Sequence, residues 1–243
     1  MAKPVDVVWS GACVIRAKPN PAKLICELSP FAEDAVADLA PGCRILGLTL
    51  GRFSFGDLIR AVCRKTGPAD VTISTWTAGL RDLETMAWVL ERKRVKSIRF
   101  MVGDGFVSCC RPVAHRMVEL YGGDALVLAR THAKFAMIDA DGWKIVIRTS
   151  MNLSRNPRIE QFELDDDPEI FAFYDAVCQR VRDSTPPGIE TSWKETNTAF
   201  ASVLSDTPTE DEVASDAVDV EALVADLLSA PPDVQQMIAD LAW

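Results

Sequence analysis

Over most of its length the chain sets short apolar runs between polar breaks, and the spacing within the runs alternates between two periods. Residues 44–50 (RILGLTL), 71–76 (VTISTW), 97–102 (SIRFMV) and 125–129 (ALVLA) are rich in Val, Ile and Leu and bounded by turn formers, the pattern of strands. Between them the apolar positions fall at helical spacing. Residues 54–65 start at Ser54 with Asp57 three positions on, an N-terminal capping pattern, and stop at Gly67-Pro68. Residues 80–94 carry Leu83, Met86, Ala87 and Leu90 on one face, and residues 112–120 end at Gly122-Gly123. Strands alternating with helices predict an α/β fold with a mixed, largely parallel sheet and helices on both faces. Two shorter runs, 5–9 and 23–28, read as further strands.

The rhythm changes after residue 130. Residues 133–138 and 143–149 read as two strands joined by Asp139-Ala140-Asp141-Gly142, a hairpin signal. A strand at 159–164 follows a loop rich in Ser, Arg, Asn and Pro, and 167–181 is a helix with Ile170, Phe171, Tyr174, Val177 and Cys178 at helical spacing. Pro186-Pro187-Gly188 marks the expected end of a domain spanning 1–187. Residues 188–217, rich in Ser, Thr, Glu and Asp, read as a flexible acidic linker. Two short amphipathic patterns, 218–228 and 232–241, read as a helical acidic tail that needs a partner surface, since helices this short are marginal alone.

Composition adds little to this picture until charge is resolved along the chain. At 48% apolar residues and 7% aromatics, the core must rest on aliphatic side chains, which agrees with an α/β layout. The net charge is −9, from 35 acidic and 26 basic residues. Ten of the acids lie in 205–243, where there is no Lys or Arg, so the remainder holds 25 acids against 26 bases. A nearly neutral body can carry a local basic cleft that attracts phosphate. The seven cysteines show no C-x-x-C pair, so buried thiols in a reducing compartment are expected, with neither disulfides nor a metal site. No apolar run suits a membrane span or a signal peptide, and a cytoplasmic protein without membrane attachment is expected.

The chemistry concentrates in THAKFAMIDADGWKIVIRTSMNLSRNPRIEQFEL, residues 131–164. His132 and Lys134 are two apart on the predicted strand and would leave one face together. A neutral imidazole can attack phosphorus, and a neighbouring ammonium can neutralise phosphate oxygens. Ser150 and Asn152 repeat the spacing and offer a hydroxyl and an amide to the same anion. Arg158 and Glu160 alternate again. A buried carboxylate at Glu160 could hold the second imidazole nitrogen and fix its tautomer. The other histidine, His115, falls on a predicted helix beside Arg116 and reads as a surface residue.

These residues resemble the phospholipase D superfamily. Its H-x-K-x4-D hallmark appears as His132-x-Lys134-x4-Asp139, its Gly-Ser-x-Asn as Thr149-Ser150-Met151-Asn152, and its N-x-R-x-E as Asn156-Pro157-Arg158-Ile159-Glu160. The motifs cover about thirty residues, and the likeness in element order runs from about Arg44 to Val181. Thr149 stands where the family has glycine, and the hairpin before Ser150 is longer than is common there.

The resemblance implies a metal-independent phosphodiesterase with no cofactor. His132, Lys134, Ser150, Asn152 and Glu160 would be the catalytic residues, with Asp139, Asn156 and Arg158 supporting them. Asp139 abuts the turn, which favours a structural role for it. The family uses two histidines, and this chain holds one motif, so the resemblance implies a homodimer with a shared site. Single-motif members are often nucleases, which makes DNA the expected substrate. The tail would dock a protein partner or occupy the cleft. A non-catalytic DNA-binding protein on the same fold, and a hydrolase of phospholipids or other phosphodiesters, are the alternatives.

Overall fold

The computed structural model describes residues 22–24 and 31–189. The expected strand at 5–9, most of the one at 23–28, the linker and the acidic tail lie outside these residues. Eight strands form one sheet in the order β1-β2-β8-β7-β6-β3-β4-β5. The strands are β1 (Ala22–Leu24), β2 (Arg44–Leu50), β3 (Asp70–Thr75), β4 (Ser97–Gly103), β5 (Leu126–Ala129), β6 (Phe135–Ala140), β7 (Trp143–Thr149) and β8 (Ile159–Asp166).

The sheet is mixed, as expected, but it is not largely parallel. β1–β2, β3–β4 and β4–β5 are parallel, whereas β2–β8, β8–β7, β7–β6 and β6–β3 are antiparallel. The strand–helix rhythm of the first half describes the β3-β4-β5 side correctly. The hairpin and β8 then enter the middle of the sheet and separate β2 from β3.

Helices cover both faces. α2 (Phe55–Thr66), α3 (Leu80–Glu91) and α5 (Arg111–Tyr121) place Leu58, Ile59, Leu83, Met86 and Met117 in the larger core, against Ile73, Phe100, Leu128, Ile138 and Ile147. Alternate strand residues, among them Met101, Val127, Phe135, Met137 and Val146, form a second core with Ile170 and Cys178 of α6 (Pro168–Ser184). The alternation follows from the two-residue repeat of a strand. α1 (Ala32–Ala35) and α4 (Gly105–Cys109) are short, and nothing in the periodicity flagged α4.

Capping chemistry explains the helix starts. The Ser54 hydroxyl accepts from Asp57 N–H at 3.1 Å, and the Asp57 carboxylate accepts from Ser54 N–H at 2.9 Å, a reciprocal pair that satisfies two orphan donors. The Asp167 carboxylate caps α6 by accepting from Glu169 N–H at 2.8 Å and Ile170 N–H at 3.2 Å. The expected helix at 80–94 ends three residues early, where Lys93 adopts φ 54° and turns the chain. Of the five described cysteines, only Cys63 and Cys178 are buried, and burial pushes both thiols up to about 12. Cys109 is exposed, so the expectation of buried thiols holds only in part. No described helix is long and apolar enough to cross a membrane.

Candidate active site

The strand order creates the site. β5 lies at one edge of the sheet, while the next strand, β6, lies in its middle. The connection, residues 130–134, therefore crosses the carboxyl ends of β4 and β3. It is held there by backbone and side-chain bonds: Asp104 N–H and Thr131 N–H donate to the Ala129 carbonyl, and the Ser74 hydroxyl donates to the Ala133 carbonyl at 2.9 Å. His132 and Lys134 sit on this crossing and not on a strand, because β6 begins at Phe135. In α/β sheets the carboxyl ends of the strands are where ligands bind.

The remaining site residues reach the same edge because β7 ends there and β8 begins there. The Lys134 amine lies 3.0 Å from His132 Nδ1 and donates to the His132 carbonyl at 2.7 Å. Ser150 donates to a Glu160 carboxylate oxygen, and the Ser150 hydroxyl accepts from Gln161 N–H at 3.0 Å. Burial of Lys134 pushes its amine below its ordinary value, and the nearby Glu160 charge opposes that shift. Thr149 N–H donates to the Lys134 carbonyl at 3.0 Å, which sets the His132–Lys134 pair beside the turn that carries the Ser150–Glu160 pair. His132 and Ser150 are exposed, and Lys134 and Glu160 are half-buried.

The loop after β7 is pinned across the site. Leu153 N–H donates to the Thr75 hydroxyl at 3.1 Å, and Gly79 N–H donates to the Leu153 carbonyl at 2.8 Å. Asn152 rides on this loop with its side-chain oxygen buried and without a hydrogen-bond partner among the described residues. A buried acceptor in that state is uncommon and marks a group waiting for a donor.

The supporting residues are placed differently. Asp139 is at the opposite end of β6 and bonds Lys144 at 2.5 Å, its cross-strand neighbour, a structural position as the turn suggested. Arg158 is exposed. Its N–H donates to the Asn156 carbonyl at 2.9 Å, and no described hydrogen bond or ion pair joins either residue to His132. The expected bond between Glu160 and the imidazole is likewise not among the described hydrogen bonds: Glu160 is engaged by Ser150 and is not buried. Thr149 does not simply crowd the site. Its hydroxyl donates to the Gln161 carbonyl at 2.6 Å and accepts from Met151 N–H at 3.0 Å, fixing the turn that presents Ser150. His115 is exposed on α5, where its Nε2 accepts from Arg111 at 3.4 Å.

Two neighbours were missed. The Trp76 ring stands 5.8 Å from that of His132, tilted by 46°. It fits there because Gly103 has no side chain: a Cβ would come within 2.6 Å of Trp76 Cδ1 and 3.1 Å of the Thr131 carbonyl. The signal available was position, a tryptophan and a glycine at the carboxyl ends of two predicted strands. Gly103→Ala is expected to displace Trp76 and the crossing segment, lowering the turnover of any His132-dependent reaction about 10- to 100-fold, since misplacement by about 1 Å is that costly. Steady-state rates with near-ultraviolet circular dichroism will show whether the rate falls together with a change at the tryptophan.

No family model and no curated protein matches the sequence. Among solved structures, the chain is similar to Nuc from Salmonella typhimurium, a phospholipase D family member, at 10% identity and TM-score 0.42, covering 59% of this chain and 96% of that one. NucT from Helicobacter pylori gives 18% identity and TM-score 0.45 over 59% of this chain and 99% of that one. Phosphatidylserine synthase from Haemophilus influenzae Rd KW20 gives 17% and 0.44, over 68% of this chain; the chain spans about half of that longer protein, 47%. The chemistry of this sheet rests on the side chains gathered at the carboxyl ends of its strands.

Burial also sets the sign of a pH effect. A depressed Lys134 loses its proton, and with it the charge that would face a phosphate, at lower pH than an ordinary amine. The alkaline limb of the rate profile is therefore expected below 10.5, and Lys134→Arg is expected to move that limb upward, because a guanidinium stays charged. A pH series on both proteins measures the shift; an unmoved limb would remove Lys134 from the rate profile.

Proposed function

We propose that the chain is a phosphodiesterase, acting as a metal-independent endonuclease on DNA through a phosphohistidine at His132, with a second copy completing the active site. The observation that carries this reading is the convergence of His132, Lys134, Ser150 and Glu160 at one sheet edge. That edge is exposed, and Arg155 and Arg158 are exposed on the same loop as Asn152, an arrangement suited to a long polyanion.

Lys134 has a second part in the reaction. As an ammonium it donates to His132 Nδ1, which leaves the ring proton on Nε2. Attack through Nε2 needs the opposite tautomer. A bound phosphate draws the ammonium to its own oxygens and releases Nδ1 to take up the ring proton. Nε2 then forms the bond to phosphorus as the P–O bond to the leaving oxygen breaks. The single histidine of the motif requires the second copy's His132, in its imidazolium form, to protonate that oxygen and become neutral. The same ring then deprotonates the water that cleaves the phosphohistidine. Ser150 and Asn152 bind the equatorial oxygens.

The test is cleavage of labelled single- and double-stranded DNA in EDTA, comparing the wild type with His132→Ala. Cleavage by the wild type alone is expected. Binding without cleavage by both proteins would make this a DNA-binding module, and cleavage confined to phospholipids would move the substrate to lipid. Sedimentation of a fully active monomer would sink the shared site.

A further inference from the structure

The opposite ends of β3 and β4 carry a second concentration of positive charge. The links from α2 to β3 and from α3 to β4 run side by side there, tied by Lys96 N–H donating to the Ala69 carbonyl at 2.8 Å. Between them is a cavity of about 300 Å³ with Val89 and Val95 among its apolar lining, rimmed by Arg60, Arg64, Lys93 and Arg94, and none of its lining residues is acidic. A cavity of this size is at the lower end of small-molecule sites.

Basic residues at helix C-termini commonly offset the helix dipole, and Arg64 in the last turn of α2 fits that description. It is also paired with Glu33, as Arg60 is with Asp57. Lys93 and Arg94 directly follow Arg92, the C-cap of α3. They lie beyond the end of α3 and make no ion pair with a carboxylate among the described residues. Arg94 instead lies 5.5 Å from the Trp88 ring centre, beside Arg92 at 4.1 Å. Lys93 is the one described non-glycine residue at positive φ, 54°, a conformation that costs a lysine about 1 kcal/mol where glycine would cost none. That φ belongs to the turn that ends α3, where Lys93 N–H donates to the Leu90 carbonyl at 2.9 Å and Arg94 N–H to the Val89 carbonyl at 3.0 Å, and the turn sets both cations at the cavity rim.

We propose that this cavity is a second binding site, separate from the His132 edge, for a small phosphorylated ligand with a planar body, of the nucleoside monophosphate class. Lys93 and Arg94 take the phosphate, and the apolar floor takes the planar body. The volume, at the lower end of small-molecule sites, suits a ligand of this size. The two sites are at opposite ends of β3 and β4, so the inference stands whether or not His132 is a nucleophile.

Isothermal titration of the full chain with adenosine 5′-monophosphate in EDTA tests it, with adenosine and inorganic phosphate as comparison probes. Saturable binding is expected in the wild type and in His132→Ala, weakened about tenfold or more in Lys93→Gly and in Arg94→Gln, since each loses a charge-assisted contact. Lys93→Gly also relieves the backbone, so its melting temperature should not fall and misfolding cannot mimic the loss. Weaker binding of both adenosine and phosphate is expected. No saturable binding by 10 mM, roughly the weakest affinity such a contact set supports, would overturn the proposal. So would binding unchanged in both rim variants, binding lost in His132→Ala, or phosphate binding as tightly as the nucleotide.

Discussion

His132→Ala is expected to lower the rate of phosphodiester cleavage by about 10⁴-fold or more, because removing a covalent nucleophile removes the pathway and not just one contact in it. Substrate affinity should change much less, since Lys134, Ser150 and the exposed Arg155 and Arg158 remain. The informative measurement is a single-turnover rate with labelled substrate, quenched in alkali, where a phosphoramidate survives. The wild type should hold label on the protein at early times, and the variant should hold none. A second experiment separates the nucleophile from its counterpart. If each site uses one ring from each copy, a dimer mixed between wild-type and His132→Ala chains has no complete site. Its activity should then fall to that of the residual wild-type dimers, and a linear dependence on the wild-type fraction would contradict a shared site.

The largest effect on stability is expected at Asp165, on the strand that joins β2 to β7. Its side chain is 1% exposed and accepts from both Arg44 and Arg148. The carboxylate holds the Arg44 guanidinium above its ordinary value, chiefly through their hydrogen bond. Truncation to alanine leaves two guanidinium groups facing each other across β8, with Glu163, at 3.7 and 3.1 Å, as the only other anion paired to them among the described residues. Breaking a buried pair by removing one member costs about 3–5 kcal/mol. The partial cover by Glu163 points to about 3 kcal/mol, read as a drop in the urea midpoint at unchanged slope. Asp165→Asn should fall between the two, because an amide keeps the shape and loses the charge. A midpoint within a few tenths of the wild type would mean that Glu163 takes over both arginines.

Local chemistry was the most legible part of the sequence. The Ser54–Asp57 cap and the Asp141-Gly142 turn carry their geometry in a few adjacent residues, and the structure has both. Sheet topology was less legible, because strand pairing depends on which apolar surfaces meet and a run such as 133–138 reads the same at an edge or in the middle. The site shows both situations. The spacing of His132, Lys134, Ser150 and Glu160 identified side chains that do converge. The reason offered, alternation on strands, fails for His132 and Lys134, which lie on the crossing segment. The partners of Glu160 and the place of Trp76 depend on contacts between residues far apart in sequence, and no local pattern records them.

The strand order has a consequence for how the molecule is made. β2 and β3 are consecutive in the chain, yet β8, β7 and β6 stand between them. When β2 leaves the ribosome, its neighbour on that side will not exist until residue 159 has been synthesised. The sheet is thus completed from its middle, by the last strands to arrive, and two of its seven pairings, β2–β8 and β3–β6, close long loops. Such a chain is expected to fold slowly, and fragments ending before β8 should not fold. The same late insertion brings the Ser150–Glu160 pair beside Lys134, so a nascent chain has no assembled candidate site until its sheet is finished.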